Sequence, residues 1–399
     1  MKLKRNDLLT PEGTRDYLFE ECAARRTISE RITRIFENRG YFEVITPALE
    51  FYDVFNGNTR GFPQELMYKL VDGKNRLMVL RPDSTLPIAR LAATRLRYEE
   101  LPLKLFYNQN IYLVNPKDSG RDDEIAQSGI EILGGNSESA DREALIMAAK
   151  ALSVCDENYR LEIGDCGIFK EIMRNFDCDS KLAENIQKWI ETKNYPELNA
   201  LKDSDNPSAA ALVELPKLFG GFEVFDEAKK VLHGDMVESK LARLQKLCED
   251  ISAVIPREKI RVDLGLINKK NYYTGIIFRG YVEGYGQPAL SGGRYDALLG
   301  DFGREAAAVG FAVNVEAVAK VYMRAHKSEL KRACDVLVFG ENGAEMAALA
   351  HCENLIFEGK TVYNFLGKCP KCAAEYAKAH NIRKVDIVDK DGKISSEEV

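Results

Sequence analysis

The sequence predicts an α+β protein: an antiparallel sheet flanked by helices, interrupted by a helical insertion over residues 167–257 and followed by a small α/β domain over 323–399. Three observations carry this reading. Apolar, strand-like runs in the first third are joined by polar segments rich in turn formers, the stretch from Ile168 to Val254 turns to helical patterning, and strand and helix alternate over the last 77 residues.

The elements follow in chain order. Ile28, Ile32, Ile35 and Phe36 recur at helical spacing and define one apolar face, Gly40 supplies a stop, and YFEVITP reads as a strand closed by Pro47. MYKLVDG and RLMVLRP bracket a turn, a helix is expected from Ser84 to Leu96, and LKLFYNQNIYLV (103–114) and SGIEIL (128–133) read as strands joined by the polar loop NPKDSGRDDEIAQ. KLAENIQKWIE, AAALVELPKLFG and VESKLARLQKLCEDISAV make up the helical insertion, with the breaker KDSDNP between the first two. Strands resume at KIRVDLGLI and YYTGIIFRGYV. GGRYDALLGDFGREAAAVGFAVNVEAV then runs from a glycine-paired strand through a loop into an apolar strand and a helix. In the last domain CDVLVFG, TVYNFLG and VDIVD alternate with two helices, as in a parallel α/β sheet.

The 399 residues form a folded, core-building chain: 45% hydrophobic and 30% charged, with 18 Phe and 17 Tyr. A net charge of −6 offers nucleic acid no global attraction, and the last domain is neutral, with 12 basic and 12 acidic residues. MKLKRNDLLTPEG has no apolar targeting core, and no uncharged stretch approaches a membrane span, so a cytoplasmic protein is expected, with no membrane partner. Nine cysteines are scattered singly apart from Cys369 and Cys372, which implies reduced thiols and neither a disulfide framework nor a zinc site. Cys369-Pro-Lys-Cys372 stands where a strand hands over to a helix, a position used by redox proteins, yet with no second pair the expectation is two surface thiols. DKDGKISSEE has the look of a calcium loop, but its first ligand position would be Ile387, so a hairpin turn is expected there. The four histidines lack ligand spacing, and no metal is expected.

Two carboxylates stand beside groups that could orient a ligand: Asp83 in LRPDST and Glu131 in SGIEI, with Gln127 four residues before it. A bound amino acid would present a cationic ammonium to one carboxylate and a polar side chain to the other. Tyr272-Tyr273-Thr274 opens the next strand, where successive rings would face opposite sides. Each residue also has an ordinary alternative. An Asp before Ser-Thr is most often a helix cap, and strand tyrosines most often pack.

Taken in order, PEGTRDYL, the helix and strand ending at Pro47, LRPDST, GRDDEIAQSGIEILGG, YYTGIIF, GGRYDALL and VGFAVNVEA resemble the histidyl-tRNA synthetase branch of the class II aminoacyl-tRNA synthetases, over roughly residues 10 to 320. The resemblance implies an antiparallel sheet flanked by helices and a dimer formed through the first motif. It also assigns positions. Where that family places arginines on ATP, this chain has Leu113, Asn268 and Ala317, and Asn115 replaces an acidic residue two positions after the first. Without those cations, the charge on a reacting phosphate would be left unstabilised. Between Tyr112 and Glu124, Lys117 and Arg121 face four acids: Asp118, Asp122, Asp123 and Glu124. On the amino-acid side the resemblance places Asp83 and Thr85 at the substrate ammonium, Gln127 near its carboxylate, and Glu131, Tyr272 and Tyr273 around an imidazole, with Arg121 as pocket support. Asp83 is one methylene shorter than the usual glutamate, which puts a water-bridged contact in view.

A pocket of this kind would bind histidine without activating it, which resembles the regulatory subunits of ATP phosphoribosyltransferase. That resemblance implies an allosteric hetero-oligomer in histidine biosynthesis, with a short-form catalytic subunit as partner, L-histidine as ligand, and no cofactor or catalytic residue in this chain. A divergent histidyl-tRNA synthetase, or a synthetase paralogue that senses something else, stays open as an alternative.

Overall fold

The computed structural model describes residues 6–57, 62–115, 121–155, 157–203, 206–267, 272–330 and 334–399. Asn268, Lys117 and Asp118 lie outside the described residues. Two compact units emerge, residues 1–325 and 326–399.

The first unit opens with α1 (Phe19–Glu37), β1 (Phe42–Glu43), β2 (Leu49–Phe51), β3 (Lys69–Val71), β4 (Leu77–Leu80) and α2 (Thr85–Ala93). There follow β5 (Leu103–Tyr112), β6 (Glu124–Leu133), α3 (Ser137–Leu152) and β7 (Tyr159–Asp165). The insertion holds α4 (Cys166–Arg174), α5 (Ser180–Glu191), α6 (Tyr195–Asn199), α7 (Pro207–Glu214), the two-residue β8 (Phe219–Gly220), α8 (Val224–Val231) and α9 (Asp235–Ile251). The chain returns through β9 (Ile260–Asp263), β10 (Ile276–Val282), β11 (Leu290–Arg294), β12 (Ala308–Asn314) and α10 (Val315–Ala325).

Nine strands pair in the order β1-β5-β6-β12-β11-β10-β7-β9-β8. The middle of this sheet is antiparallel as expected, but β1 joins β5 and β9 joins β7 in parallel, so the sheet is mixed. The hairpin β3–β4 does not join it: with β2 it forms a separate three-stranded sheet. α3 and β7 fall in 134–166, where no element was expected. Asn136 caps α3 by accepting from the Ser139 N–H, and Ala144, Leu145 and Ala148 bury its inner face.

Strand alternation gives the large sheet two unlike faces. On one, Phe106, Ile130 and Phe311 lie under α1, α3 and α10, and the Phe36 ring sits 5.8 Å from Phe106 and 6.1 Å from Phe311. Buried Ala24, Ile28, Ile32 and Phe36 are the stripe that seats α1 there, and Gly40 ends the turn after it at φ +77°, where a side chain would be strained. On the other face Leu105, Tyr107 and Leu133 share a core with Leu86, Ile88 and Ala89 of α2 and Val79 of the small sheet. The candidate site lies in this second layer.

The second unit contains α11 (Lys327–Leu330), β13 (Val336–Gly340), α12 (Glu345–Phe357), β14 (Val362–Asn364), α13 (Pro370–Ala379), β15 (Lys384–Val388) and β16 (Ile394–Glu398). β14, β13 and β15 are parallel, and β16 returns antiparallel to β15 through the turn at Asp389–Lys393. The acidic DKDGK segment is therefore a hairpin turn, with Asp389 Oδ1 accepting from the Asp391 and Lys393 N–H groups. Cys369 and Cys372 are not separate thiols: they are joined as a disulfide, because the first turn of α13 brings residues three apart to a Cα separation of 5.2 Å.

Candidate functional site

Register brings the predicted residues onto one face. In β6, Gln127, Gly129 and Glu131 point the same way, opposite Gln109, Tyr107 and Leu105 of β5 and Asn314, Ala312 and Gly310 of β12. Gln127 was expected in a loop, but β6 begins at Glu124 and places it in the strand, half-buried.

Glycines make room for the side chains of this layer. A Cβ at Gly129 would come within 2.5 Å of the Tyr107 hydroxyl, and one at Gly310 within 1.8 Å of Glu131 Oε2. At Gly293 of β11 a Cβ would meet the Tyr273 ring at 2.8 Å. The glycines of SGIEI, GGRYD and VGFAV thus open space for the protein's own Tyr107, Tyr273 and Glu131 side chains.

Glu131 is 1% exposed, and its Oε2 accepts a short hydrogen bond from the Tyr295 hydroxyl. Tyr295 was not among the expected site residues. It stands in GGRYD, 164 positions from Glu131 in sequence, and only the pairing of β6 through β12 to β11 brings it there. Burial, followed by the neighbouring Glu131 carboxylate, raises the Tyr295 hydroxyl well above the ordinary tyrosine range, so it stays protonated and donating. The Tyr295 ring meets Tyr272 edge-on at 6.0 Å, and Tyr272 lies 4.9 Å from Tyr273. Both members of the tyrosine pair are buried in one core, contrary to the expectation of opposite faces. They precede β10, which starts at Ile276, so strand alternation does not govern them.

Asp83 joins the two halves of the site. Its Oδ2 lies 3.5 Å from the Tyr272 hydroxyl, while Oδ1 accepts from the Thr85 and Leu86 N–H groups at 2.8 and 3.2 Å. It is thus a helix cap for α2 as well as a buried carboxylate beside Tyr272. Thr85 is half-buried in the first turn, and the Ser84 hydroxyl is buried with no hydrogen-bond partner among the described residues. Arg121 is exposed just ahead of β6, where its charge is felt by Tyr285, a side chain that also feels Glu316.

The positions matched to phosphate contacts have other work. The Leu113 N–H donates to the Asp123 carbonyl at 2.8 Å, and Asn115 Nδ2 donates to the Asp122 carbonyl at 2.9 Å. Ala317 is buried in the first turn of α10, its N–H held by Asn314 Oδ1 at 3.0 Å. Glu316 beside it is also buried; it accepts from the Ala126 N–H and pairs with Arg25 at 3.0 Å, which ties α10 to β6 and α1. A surface cleft lined by Arg15, Tyr17, Arg25, Glu316 and Lys320 opens on this helix-covered side, away from Glu131, and in it Arg15 pairs with Glu21 and Arg25 with Glu316. Among the described residues no three His, Cys, Asp or Glu are grouped to hold a metal, and no helix is long and apolar enough to cross a membrane.

A mixed sheet with helices on one face and a set of buried carboxylates and tyrosines on the other defines a class II synthetase-like protein. Histidyl-tRNA synthetase from Nostoc sp. PCC 7120, 18% identical, has the same fold, with a TM-score of 0.76 over 98% of this chain and 96% of that one. A sequence model of the family described as histidyl-tRNA synthetase matches residues 13–318. The ATP phosphoribosyltransferase regulatory subunit of Clostridium kluyveri is 41% identical over 78% of this chain and 81% of its own length, and that of Clostridium acetobutylicum is 44% identical over 77% of each. A solved ATP phosphoribosyltransferase regulatory subunit/histidyl-tRNA synthetase from Bacillus halodurans, 28% identical, superposes with a TM-score of 0.83 over 96% of this chain and 98% of that one. This chain belongs to the ATP phosphoribosyltransferase regulatory subunits of histidine biosynthesis, a non-catalytic branch of the histidyl-tRNA synthetase-like family.

Proposed function

We propose that this subunit binds free L-histidine in the layer formed by Asp83, Thr85, Gln127, Glu131, Tyr272 and Tyr273, and transmits its occupancy to a short-form catalytic partner. The observation that carries the reading is the buried Glu131 carboxylate on the same sheet face as Gln127, linked through Tyr295 and Tyr272 to Asp83. Two carboxylates joined by tyrosines suit a ligand with an imidazole at one end and an ammonium at the other. In the structure these groups satisfy one another, so a ligand would exchange internal partners for its own, and that exchange supplies the two arrangements a regulator needs. Histidine controls the partner only by binding those arrangements with different affinity.

A second copy of the chain is the further partner we propose. Phe42, Ile45, Leu49, Phe51, Leu70 and Val71, from the first motif and the small sheet, are all exposed, a set of apolar side chains that self-association would cover.

Calorimetry on the complex of this chain with a short-form catalytic subunit tests the pocket. Glu131→Gln should weaken histidine binding by roughly ten- to a hundredfold, the loss of a charge-assisted hydrogen bond, and leave assembly intact. Unchanged affinity would move histidine elsewhere. Histidine-dependent exchange of pyrophosphate into ATP by the chain alone would favour the synthetase alternative.

A further inference from the structure

We propose that Cys369 and Cys372 form a reversible dithiol–disulfide couple that exchanges with small thiols of the glutathione class. The crossover from β14 through α13 to β15 sets the pair at the N-terminal end of a ten-residue helix, with both residues half-buried. Cys369 is the capping residue: its Sγ accepts from the Cys372 N–H at 3.1 Å. On reduction the same N–H and the helix dipole stabilise a Cys369 thiolate, and Lys368 and Lys371 flank it in sequence.

The disulfide is a poor structural staple. It joins residues three apart, so it restrains the unfolded chain very little. The unit already has apolar clusters on both sides of its sheet, one around Val336, Val338 and Leu355 and the other around Leu337, Ala373 and Val385. Four of the other cysteines, Cys155, Cys166, Cys248 and Cys352, are buried. A disulfide that closes a Cys-x-x-Cys loop at the N-terminal end of a helix has the pattern of a redox pair rather than of a disulfide scaffold.

The exchange balances as written. The Cys369 thiolate attacks one sulfur of glutathione disulfide, forms a mixed disulfide and releases a glutathione thiolate. Cys372 gives its proton to solvent and attacks the Cys369 sulfur, which expels the second glutathione. Two electrons pass from the cysteine pair to glutathione, and excess glutathione drives the reverse.

The test equilibrates the full chain with glutathione and glutathione disulfide over a range of ratios, followed by acid quenching, maleimide labelling and peptide mass spectrometry. Cys369 and Cys372 should lose label together in one transition at a finite ratio. In a Cys372→Ser variant at neutral pH, Cys369 should react with iodoacetamide at least tenfold faster than the exposed Cys22 of the same chain. A pair that stays fully reduced or fully oxidised at every ratio overturns the proposal, and so does a Cys369 no faster than Cys22.

Discussion

Tyr295→Phe tests the core of the site by removing a single oxygen atom. The ring is kept, and with it the edge-on contact to Tyr272 at 6.0 Å, so the only loss is the donor to Glu131. Glu131 is 1% exposed, and bulk water does not replace that donor. A hydrogen bond to a buried charge contributes about 1.5–3 kcal/mol, so the variant should be less stable by about 2 kcal/mol. In a domain of this size that lowers the melting temperature by about 4 °C. Urea denaturation of the full chain, with Glu131→Gln and the double variant completing a thermodynamic cycle, measures the coupling directly. The pH dependence has a definite sign. Tyr295 is held protonated in the fold, so its contribution is complete below the unfolded tyrosine value of about 10 and is lost as pH rises above it, and the gap between parent and variant narrows in alkali. A destabilisation and a coupling both under about 0.5 kcal/mol would refute the reasoning, since values that small belong to surface positions.

Asp83→Ser separates the cap from the ligand role: serine caps helices about as well as aspartate, so stability should stay within about 0.5 kcal/mol while histidine affinity on calorimetry falls about tenfold or more. If both are unchanged, Asp83 serves α2 alone. Gly310→Ala places a methyl 1.8 Å from Glu131 Oε2 and 2.4 Å from the Ile130 carbonyl, which should cost about 1–3 kcal/mol of stability in denaturant titration and weaken histidine binding with it. In the second unit, burial opposes the charge on Asp386, but hydrogen bonds from Ser396, His351 and Lys384 outweigh it and hold the carboxyl below its ordinary range. Its stabilisation is therefore present above about pH 4 and is lost as pH falls further; hydrogen exchange in strands β13 and β15 should report that loss, and Asp386→Asn should flatten it.

Much of the candidate site was readable as a set of residues because it lies in short ordered motifs. LRPDST, SGIEI and YYTG carry Asp83, Glu131 and the tyrosine pair, and the structure gathers them in one layer. What stayed hidden is instructive. Tyr295 had no signal of its own, because a tyrosine after two glycines reads as packing until its strand is placed beside β12. Arg121 stood close to Gln127 in sequence, yet it precedes β6 and its charge is felt at Tyr285. α3 is rich in alanine and its capping asparagine follows a glycine pair, so the stretch resembled a continuing loop. The cysteine pair was visible as a motif, but its bond depends on the first turn of α13.

Local patterning determined the α+β class, most helices and hairpins, and the alternating second unit. These features depend on residue type and on neighbours a few positions away, which periodicity and turn chemistry report. The tertiary structure decided which strands share a sheet, that β3–β4 stands apart from it, that Gly310 makes room for Glu131, and that Glu131 is held by Tyr295. Those outcomes depend on register between segments more than a hundred residues apart. A shift of one residue in that register would turn Glu131 to the opposite face, and no local signal in the chain reports that choice.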